Sequence, residues 1–520
     1  MPLLCARTFT FAFALFAFSS LTISHAMAQS SRDRIGLANF NGQITGLKTI
    51  KVIPYNTGGP LRPSIAKIAF DDQFAYLATP DGLFRTSRVI TSDSQLTFLG
   101  FANYQILNLY VHQNVLYVLK VGGDPRSNTL EAHSFLKSTD HGQTFIPLDE
   151  SLQWCFQDYC EYMPVSKVFF RDNLIFVTSG GGNNFYVSKD EGKSWIVLMG
   201  FPEPAVCSDA AVEIIGRKVL VGGECPLDFA YLRVGTLRED MLGWADGGSP
   251  RQVMGVKELQ NRNVQFIRHS PNTSFALAGV EGALLRSSDL GETYQYKLAY
   301  SGAAGKYPYI HELLDPGRYK DLFIAGGFDK GAALNGYLAY SSDHGDTWTD
   351  ISHLINTPEN NAFDVTFIRE DPNGRVLIAW AGNEEQTIVI AEVLITAPLT
   401  LLTHENQQQA LALDSVTFLA GPFSPFNEFN FSSDARTRIS LFATNIPPAD
   451  ENISAITVKA EDAQHNTYQL PVEWVGRTFN YPWMTQIVVR LPDALAHAGD
   501  VSVQVLVRQS ESNKALLTIH

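Results

Sequence analysis

Short apolar runs separated by turn signals recur through the first three quarters of the chain. In the first repeat the runs are residues 65–70, 74–78, 83–87 and 98–101, divided by Asp-Asp and Pro-Asp-Gly turns. Runs of this length between such turns predict antiparallel strands, four to a repeat. Residues 39–54 predict one further strand that precedes the repeats and joins the last of them. Later repeats are predicted to begin near Val165, Ala211, Val264, Asp321 and Val365.

One octapeptide returns between these runs, with the pattern Ser-x-Asp-x-Gly-x-Ser/Thr-aromatic. Full copies occupy residues 138–145, 188–195, 287–294 and 341–348, and a decayed copy occupies residues 91–98. The distances from Asp to Asp along the chain are 47, 50, 99 and 54 residues. Because one interval is double, we expect a lost copy near residue 240, where Asp240, Gly243 and Trp244 remain in altered spacing.

Each octapeptide position has a physical role in a tight turn between antiparallel strands. Asp and Ser side chains bond to nearby backbone N–H groups, Gly adopts a positive φ, and Thr and the aromatic residue begin the next strand. An EF-hand calcium loop requires several oxygen ligands at alternating positions, and each octapeptide supplies one. We therefore predict a structural role for Asp140, Asp190, Asp289 and Asp343.

A period near 50 residues with four strands per unit is typical of a β-propeller. The octapeptide resembles the Asp-box, or BNR repeat, of sialidases, sortilin-type receptors, photosystem II assembly factors and xyloglucanases, all of which are propellers. The resemblance covers about residues 35–395 and implies that the boxes lie at the outer edge of each blade, away from a ligand site. Six box positions and a terminal unit without a box at residues 362–395 predict seven blades.

The sequence changes character after about residue 398. Residues 398–414, with a Gln-rich stretch, are predicted to be a linker. Residues 439–449 (Ile-Ser-Leu-Phe-Ala-Thr-Asn-Ile-Pro-Pro-Ala) resemble the opening motif of an Ig-like module found at the C-termini of secreted bacterial proteins. Ala443 stands where that module usually has Gly. The predicted fold is all-β: a seven-bladed β-propeller over residues 29–397 followed by a small Ig-like β-sandwich over residues 415–520.

Residues 1–28 have the features of a cleavable signal peptide. Arg7 precedes an apolar stretch over residues 9–23, and Ala26-Met27-Ala28 forms an A-x-A cleavage site. An uncleaved membrane anchor is the alternative, but the apolar stretch is shorter than the ~20 residues that a membrane span needs. We therefore expect a secreted, periplasmic or cell-surface protein without membrane insertion after cleavage.

Charge limits the classes of partner. The 520 residues carry a net charge of −14 with 18% charged residues. Nucleic acids and anionic lipids are recognised by clustered Lys and Arg, so this balance disfavours them. We expect a protein or carbohydrate partner. Oligomeric state is not indicated.

Four cysteines remain after the predicted cleavage: Cys155, Cys160, Cys207 and Cys225. Four cysteines allow three disulfide pairings, and neighbours in sequence favour 155–160 and 207–225. Zinc is the alternative, but no Cys-x2-Cys spacing or nearby His pair supports it. The sequence also lacks a P-loop and a dinucleotide-binding fingerprint, so no cofactor or metal is predicted.

In a four-stranded meander, the loops after the second strand and the loops between blades share the face opposite the octapeptides. After the second strands the chain reads Gly-Gly followed by an acid or amide, at Asp124, Asn183, Glu224 and Asp329, with Glu281 in a comparable place. The connections between blades add Trp154, Asp158, Tyr159, Tyr309 and His311. Aromatic faces beside carboxylates are typical of a carbohydrate or peptide groove. The alternative is that Gly-Gly-acid is a turn signature of the repeat.

Two function classes follow from this pattern. A sialidase requires three arginines that clamp the substrate carboxylate, the first in an F/Y-R-I-P motif, and Phe84-Arg85-Thr86-Ser87 lacks the Ile-Pro. A glycoside hydrolase of sialidase-like or xyloglucanase-like type remains the alternative, because the acidic residues supply candidate carboxylate pairs. We favour a non-catalytic exported propeller that binds a protein or glycan through the face opposite the boxes.

Overall fold

The computed structural model describes two compact units of this chain. The described residues are 35–36, 40–55, 67–102, 104–121, 132–156, 159–162, 164–179, 184–200, 208–225, 229–245, 250–254, 263–270, 274–299, 308–316, 319, 321–329, 335–357, 362–382, 386–404, 407–426, 433–478, 481 and 483–520. The larger unit comprises the described residues of Thr45–Gly317 and Asp321–Leu394. The smaller unit comprises those of Met1–Ile44, Arg318–Lys320 and Ile395–His520.

The chain up to residue 396 forms short strands, as the apolar runs predict. In chain order they are β1 (Ile35–Gly36), β2 (Gln43–Pro54), β3 (Lys67–Phe70), β4 (Phe74–Thr79), β5 (Gly82–Ser87), β6 (Thr97–Gly100), β7 (Ile106–His112), β8 (Val115–Lys120), β9 (Phe135–Ser138), β10 (Ile146–Pro147), β11 (Gln153–Phe156), β12 (Tyr159–Tyr162), β13 (Val165–Arg171), β14 (Leu174–Ser179), β15 (Asn184–Ser188) and β16 (Ile196–Gly200). They continue with β17 (Ser208–Ile215), β18 (Lys218–Cys225), β19 (Phe229–Thr236), β20 (Arg251–Met254), β21 (Val264–His269), β22 (Ala276–Val280), β23 (Ala283–Ser287), β24 (Gln295–Ala299), β25 (Pro308–Leu314), β26 (Phe323–Asp329), β27 (Asn335–Ser341), β28 (Thr349–Asp350), β29 (Ala362–Glu370), β30 (Val376–Gly382) and β31 (Thr387–Thr396). A 3-10 helix spans Ser352–Leu354.

These strands form four-stranded antiparallel sheets in which neighbours in sequence are neighbours in space. Within the described residues there are seven, here numbered one to seven along the chain: β3–β6, β7–β10, β13–β16, β17–β20, β21–β24, β25–β28, and β29–β31 with β2. The prediction that residues 39–54 join the last repeat is confirmed, because β2 is the outermost strand of sheet seven. The larger unit is therefore an all-β assembly of β-propeller type.

Each sheet packs against the next through a shared apolar cluster. Tyr76 and Leu83 of sheet one pack with Leu116 of sheet two, and similar clusters join sheets two to six in order. Gly326 of sheet six lies so close to sheet seven that a Cβ there would be 2.7 Å from Val365 Cγ1. Ile68 and Leu77 of sheet one pack with Phe367 of sheet seven, so the succession of sheets returns to its start.

The octapeptides form tight turns between the third and fourth strands, as predicted. In the last copy the Asp343 carboxylate accepts hydrogen bonds from Thr347 N (2.8 Å) and Thr347 Oγ1 (2.6 Å), while Gly345 N donates to Ser341 Oγ (2.8 Å). The copies centred on Asp140, Asp190 and Asp289 have the same bonds. The four Gly residues have φ between 77° and 88°, a backbone conformation that residues with a Cβ rarely adopt. Thr144 and Ser194, which bond to Asp140 and Asp190, lower the pKa of these two carboxyls to about 2.

Three of the four turns also bind the sheet before them. The residue ahead of the Gly has a positive φ, and in these three turns its carbonyl accepts a hydrogen bond from a cation of the preceding sheet: Arg85 to His141 O (2.8 Å), Lys137 to Glu191 O (3.4 Å) and Arg286 to His344 O (2.8 Å). A second bond runs in the opposite direction, from a tryptophan of one sheet to a carbonyl of the sheet before it. Trp195 Nε1 donates to Leu148 O, which follows β10 of sheet two (3.0 Å), and Trp244 Nε1 donates to Leu198 O of β16 in sheet three (2.7 Å). Trp244 thus makes the same contact from the altered copy at residues 238–244, between β19 and β20.

The smaller unit is a β-sandwich. Its strands are β32 (Thr400–Leu401), β33 (Thr403–His404), β34 (Ala412–Asp414), β35 (Arg438–Thr444), β36 (Ile456–Glu461), β37 (Thr467–Leu470), β38 (Val472–Arg477), β39 (Met484–Arg490), β40 (Gly499–Val507), β41 (Ser510–Glu511) and β42 (Ala515–Ile519), with β1 paired to β33. Short 3-10 helices span Pro448–Asp450, Ile453–Ala455 and Asp493–Leu495. One five-stranded sheet contains β32, β34, β35, β38 and β39, the other contains β36, β37, β40, β41 and β42, and Ile439 and Val458 belong to their common core.

Three predictions of element position need correction. Residues 398–414 are not a linker, because β32 and β34 pair with β35 and bury Leu401 and Ala412 in the core of the sandwich. The sixth sheet begins at Pro308 rather than near Asp321, which precedes its second strand.

The two Gly-Gly pairs that the structure describes lie in strands rather than in loops, since Gly222 is in β18 and Gly327 is in β26. The pairs at residues 122–123 and 181–182 lie outside the described residues. A Cβ at Gly327 would be 1.7 Å from Tyr309 O, so close packing of strands explains the glycine there.

The structure describes the backbone of Cys155, Cys160 and Cys225. Cys155 and Cys160 are opposite each other in the β11–β12 hairpin. Ser208, which follows Cys207, is opposite Glu224, which precedes Cys225. Cys207 and the predicted signal peptide lie outside the described residues. In the described part of the chain, no helix is long and apolar enough to cross a membrane.

Replacing Asp343 with Ala removes three hydrogen bonds that hold the turn between β27 and β28, from Ser341 Oγ, Thr347 N and Thr347 Oγ1. We expect a loss of about 1–3 kcal/mol in the free energy of unfolding, measured by urea denaturation. Glu150→Ala, at an exposed position, is the control and should stay within about 0.5 kcal/mol of the unsubstituted chain. An Asp343→Ala chain as stable as the control would show that the turn does not depend on its carboxylate.

Directly opposite residues of an antiparallel pair have Cα atoms about 4.5–5.5 Å apart, within the range that a disulfide requires. We expect peptide mapping of the protein, produced in an oxidising compartment and analysed under non-reducing conditions, to find Cys155 joined to Cys160, and Cys207 joined to Cys225. Pairing between the two sets, or labelling of all four thiols by iodoacetamide without a reductant, would contradict both assignments.

Candidate functional site

The first strands of the sheets surround a cavity of about 930 Å³ in the larger unit. Its walls come from β3, β7, β13, β17, β21, β25 and β29, and these strands alternate apolar and polar residues. In β21, Val264 and Ile267 are buried in the packing between sheets, whereas Gln265 and Arg268 line the cavity. An irregularity in the strand pairing between Val264 and Phe266 interrupts the alternation, so Gln265 and Arg268 both face the cavity although they are three residues apart.

One wall of the cavity carries a dense ionic network. Glu312 of β25 pairs with Lys67 of β3 and with Arg369 of β29, whose Nη1 lies 3.2 Å from Glu312 Oε2. Lys67 also donates to Thr366 O. Burial raises the pKa of Glu312, but Lys67, Arg369 and His311 outweigh burial and bring it down to about 2. Glu312 is therefore an anion at every physiological pH, and its charge is already matched.

A second pair lies beside this network. His311 Nε2 is 2.8 Å from Asp364 Oδ1, and Asp364 is almost fully buried. His311 therefore has an acidic partner that fixes the orientation of its ring. Both residues line the cavity.

The opposite wall is less completely paired. Arg268 Nη1 donates to Ile267 O (3.0 Å) and is 3.9 Å from Glu213 Oε2, which is too long for a hydrogen bond. Burial raises the pKa of Glu213 to about 7, against the opposing effect of Arg268. Lys167 of β13 has no hydrogen bond or ion pair within the described residues. Burial lowers its pKa to about 8, and the positive charges of Arg268 and Lys67 act in the same direction.

Aromatic residues complete the lining. Phe170 stacks on His112 (ring centroids 4.8 Å apart, 16° between planes) and contacts Tyr110 (5.8 Å). Phe169, Phe266 and Phe328 also line the cavity. The site combines fixed charges with apolar surface, which is the usual composition of a ligand pocket.

The structure brings several sequence-predicted residues together where β25 begins and β26 ends. Tyr309 and Phe328 stack with ring centroids 4.8 Å apart and 6° between planes, and Pro308 is opposite Asp329. Glu281, in the turn after β22, forms a bridge with Tyr309. Tyr309 and His311 lie on β25 rather than in a loop, because residues 308–314 pair with β26. Glu281, Tyr309, His311 and Asp329 thus share one edge, opposite the octapeptide turns.

The other predicted residues remain predictions. Glu224 is on β18, in sheet four, near the corresponding edge. Trp154 and Tyr159 lie in the β11–β12 hairpin, whose backbone alone is described. Asp124, Asp158 and Asn183 lie outside the described residues.

One acidic cluster away from the cavity has a structural explanation. Asp71, Asp72 and His141 place oxygen and nitrogen atoms within 4.8 Å of one another. Asp71 Oδ1 already accepts from Gln73 N (2.7 Å) and Phe74 N (2.6 Å), and its other oxygen binds Tyr76 and His141. These bonds hold the pKa of Asp71 below its usual value against the opposing effect of burial. The cluster joins sheet one to the octapeptide of sheet two.

Sequence reasoning missed most of the charged residues of the cavity wall: Lys67, Lys167, Glu213, Arg268, Asp364 and Arg369. A signal was present, because each is a charged residue within or at the end of a short apolar strand that begins a repeat. A charged side chain on the innermost strand of a propeller must face the central cavity.

Comparisons with known proteins leave the family open. No family model matches the chain, and no curated protein matches it. Among solved structures, the chain is similar to one described as "YCF48 bound to D1 peptide", with 14% identity over 69% of this chain and 98% of that one and a TM-score of 0.43. It is also similar to Hsv2 of Kluyvelomyces marxianus, with 8% identity over 65% of this chain and 99% of that one and a TM-score of 0.32. These similarities are too weak to assign a ligand.

The environment of Lys167 predicts an unusually reactive amine. The neutral amine reacts with acetic anhydride, and we expect the acetylation rate of Lys167, measured by mass spectrometry across pH 6–11, to reach half its plateau near pH 8. Free lysine side chains titrate near pH ~10.4, so N-acetyl-lysine methyl ester in the same reaction is the internal standard. A Lys167 rate that follows the standard would contradict the buried cationic environment.

Proposed function

We propose that this protein is an exported, non-catalytic β-propeller that binds a protein or glycan ligand at the mouth of the central cavity, on the face opposite the octapeptides. The observation that supports this most directly is that different strands of each sheet have different roles. The third and fourth strands carry the octapeptide turns, whose polar groups bond to each other and to the neighbouring sheet. The first strands carry charged and aromatic groups that face open space.

The state of the cavity carboxylates supports binding rather than catalysis. Glu312 is held by two cations, and Asp364 is held by His311. A general acid or base must be able to exchange a proton with substrate, and a carboxylate locked between cations is poorly suited to that role. Such pairs instead keep the walls of a binding pocket rigid.

The proposal includes the finer architecture and location. The seven sheets are the blades of a closed ring, β2 completes the last blade, and the sandwich is an Ig-like accessory module of bacterial type. The apolar stretch and A-x-A site in residues 1–28 support export, and the cysteine register supports disulfides in an oxidising compartment.

Glycoside hydrolysis is the second candidate, and one observation favours it. The pKa of Glu213 is about 7, so this carboxyl is largely protonated at slightly acid pH, while Glu312 is ionised. A protonated and an ionised carboxyl in one cavity are the pair that glycosidases use as acid and as nucleophile or base. Hydrolysis that is lost in Glu213→Gln would establish this candidate in place of the first.

The test is a panel of glycans, polysaccharides and unfolded polypeptides, assayed with the mature protein for both binding and hydrolysis. Gln265 faces the cavity, so Gln265→Trp should fill it and reduce affinity for any ligand found by at least about tenfold. The matched control is Gln295→Trp, at an exposed position on the outermost strand of the same sheet, which should bind normally.

Circular dichroism and thermal unfolding would verify that both tryptophan variants fold. Equal affinity of Gln265→Trp and Gln295→Trp for the ligand would show that the cavity is not the binding site.

A further inference from the structure

The charges that line the cavity do not balance. The lining contains four basic side chains other than histidine and three acidic ones: Lys67, Lys167, Arg268 and Arg369 against Glu213, Glu312 and Asp364. Across the whole sequence acidic residues outnumber basic ones, with a net charge of −14. The cavity therefore concentrates positive charge within an acidic protein, and an enclosed surface strengthens its field.

The excess charge can be assigned to particular atoms. On one wall, the two positive charges of Lys67 and Arg369 match the two negative charges of Glu312 and Asp364, and His311 contacts Asp364. Arg268 donates a hydrogen bond to Ile267 O, and among the described acidic groups it contacts only Glu213, at 3.9 Å. Lys167 has no partner within the described residues, although it lies on the same side of the cavity as Arg268 and in its electrostatic field. Two cationic groups thus face open space with one weakly engaged carboxyl between them.

We propose that Lys167 and Arg268 bind a carboxylate of the ligand, with an adjoining apolar group held against Phe169 and Phe170, which line the cavity on the same strand as Lys167. This deepens the proposed function, on which it rests, by naming the chemical group that enters the cavity. A single negative charge matches the single positive charge in excess, whereas a phosphate dianion would exceed it. The carboxylate is that of an apolar residue at a polypeptide C-terminus or of a free aromatic acid.

Lys167 and Glu213 respond to such a ligand. Bound carboxylate favours the protonated form of Lys167, so ligand should suppress acetylation of this residue and shift its pH profile upward. The remaining charged or titratable groups that face the cavity are Lys67, Tyr110, His112, Glu213, Arg268, His311, Glu312, Asp364 and Arg369. Glu213 competes with the ligand for Arg268 when it is ionised. Carboxylate affinity should therefore fall as the pH rises through 7 and again through 8.

The probe pair is N-acetyl-phenylalanine and its primary amide, which differ only in the carboxylate. We expect isothermal titration calorimetry at pH 6 to detect saturable binding of the acid. The amide should bind with an affinity at least tenfold weaker. Lys167→Met keeps the length of the side chain and removes the charge, and it should weaken binding of the acid about tenfold or more. Lys193→Met, at an exposed position in an octapeptide, is the matched control and should bind normally. Two further probes are tested in parallel. Binding of inorganic phosphate would indicate a general oxyanion site, and binding of a peptide that ends in Phe would indicate that the site accepts a polypeptide C-terminus as well as a free acid.

Equal binding of the acid and the amide, or normal binding by Lys167→Met, would overturn the proposal. Protection of Lys167 from acetylation by the acid but not by the amide is the second readout, and it does not require a stable variant. If the panel finds a ligand that Gln265→Trp abolishes and Lys167→Met leaves unchanged, the cavity remains the binding site and only the carboxylate assignment fails.

Discussion

The hydrogen bond from a cation on one sheet to the turn carbonyl of the next sheet is the interaction on which this architecture depends. A four-stranded sheet cannot bury both faces alone, so each must be fixed to its neighbours. The octapeptide meets this need because the residue before its Gly has a positive φ and turns its carbonyl toward the preceding sheet, where Arg85, Lys137 and Arg286 donate to it. The Asp and Ser side chains satisfy the turn's own N–H groups and hold that carbonyl in position. In three of the four full copies, repetition of the octapeptide is thus a repetition of one contact between sheets.

Because the outer strands make the contact between sheets, the inner strands can carry the charged and aromatic side chains of a binding site. Their apolar residues pack between sheets. The residues between them face the cavity, where the packing of the sheets does not determine whether a side chain is polar or apolar. Lys67, Glu312 and Arg369 come from three different sheets and meet only because the succession of sheets returns to its start. The rigid network on that wall leaves Lys167 and Arg268 on the other side with unmatched charge. Binding function in this chain follows from where charge is left uncompensated.

The repeat made the fold predictable, and the site much less so. Asp, Gly and the aromatic residue recur at fixed spacing, so the turns and the closing strand β2 could be predicted from local patterns alone. The altered copy could be placed because Trp244 retained its role in the contact with Leu198. In contrast, Gly327 looked like a loop residue, and only the 1.7 Å approach to Tyr309 O explains it as a packing position within a strand. The cavity charges were missed because their significance depends on which strand is innermost and on contacts between residues such as Lys67 and Glu312, 245 positions apart. The linker prediction failed for a similar reason, since Leu401 and Ala412 become core residues only when β35 lies beside them.

The central claim is that ligand enters the cavity of the inner strands, while the octapeptides serve the fold alone. Hydrogen–deuterium exchange of the protein with and without a ligand from the binding panel tests this most directly. The account predicts slower exchange on ligand binding in β13, β17, β21 and β25, with no change in residues 138–145, 188–195, 287–294 and 341–348. Slower exchange confined to these octapeptides, with the inner strands unchanged, would contradict it.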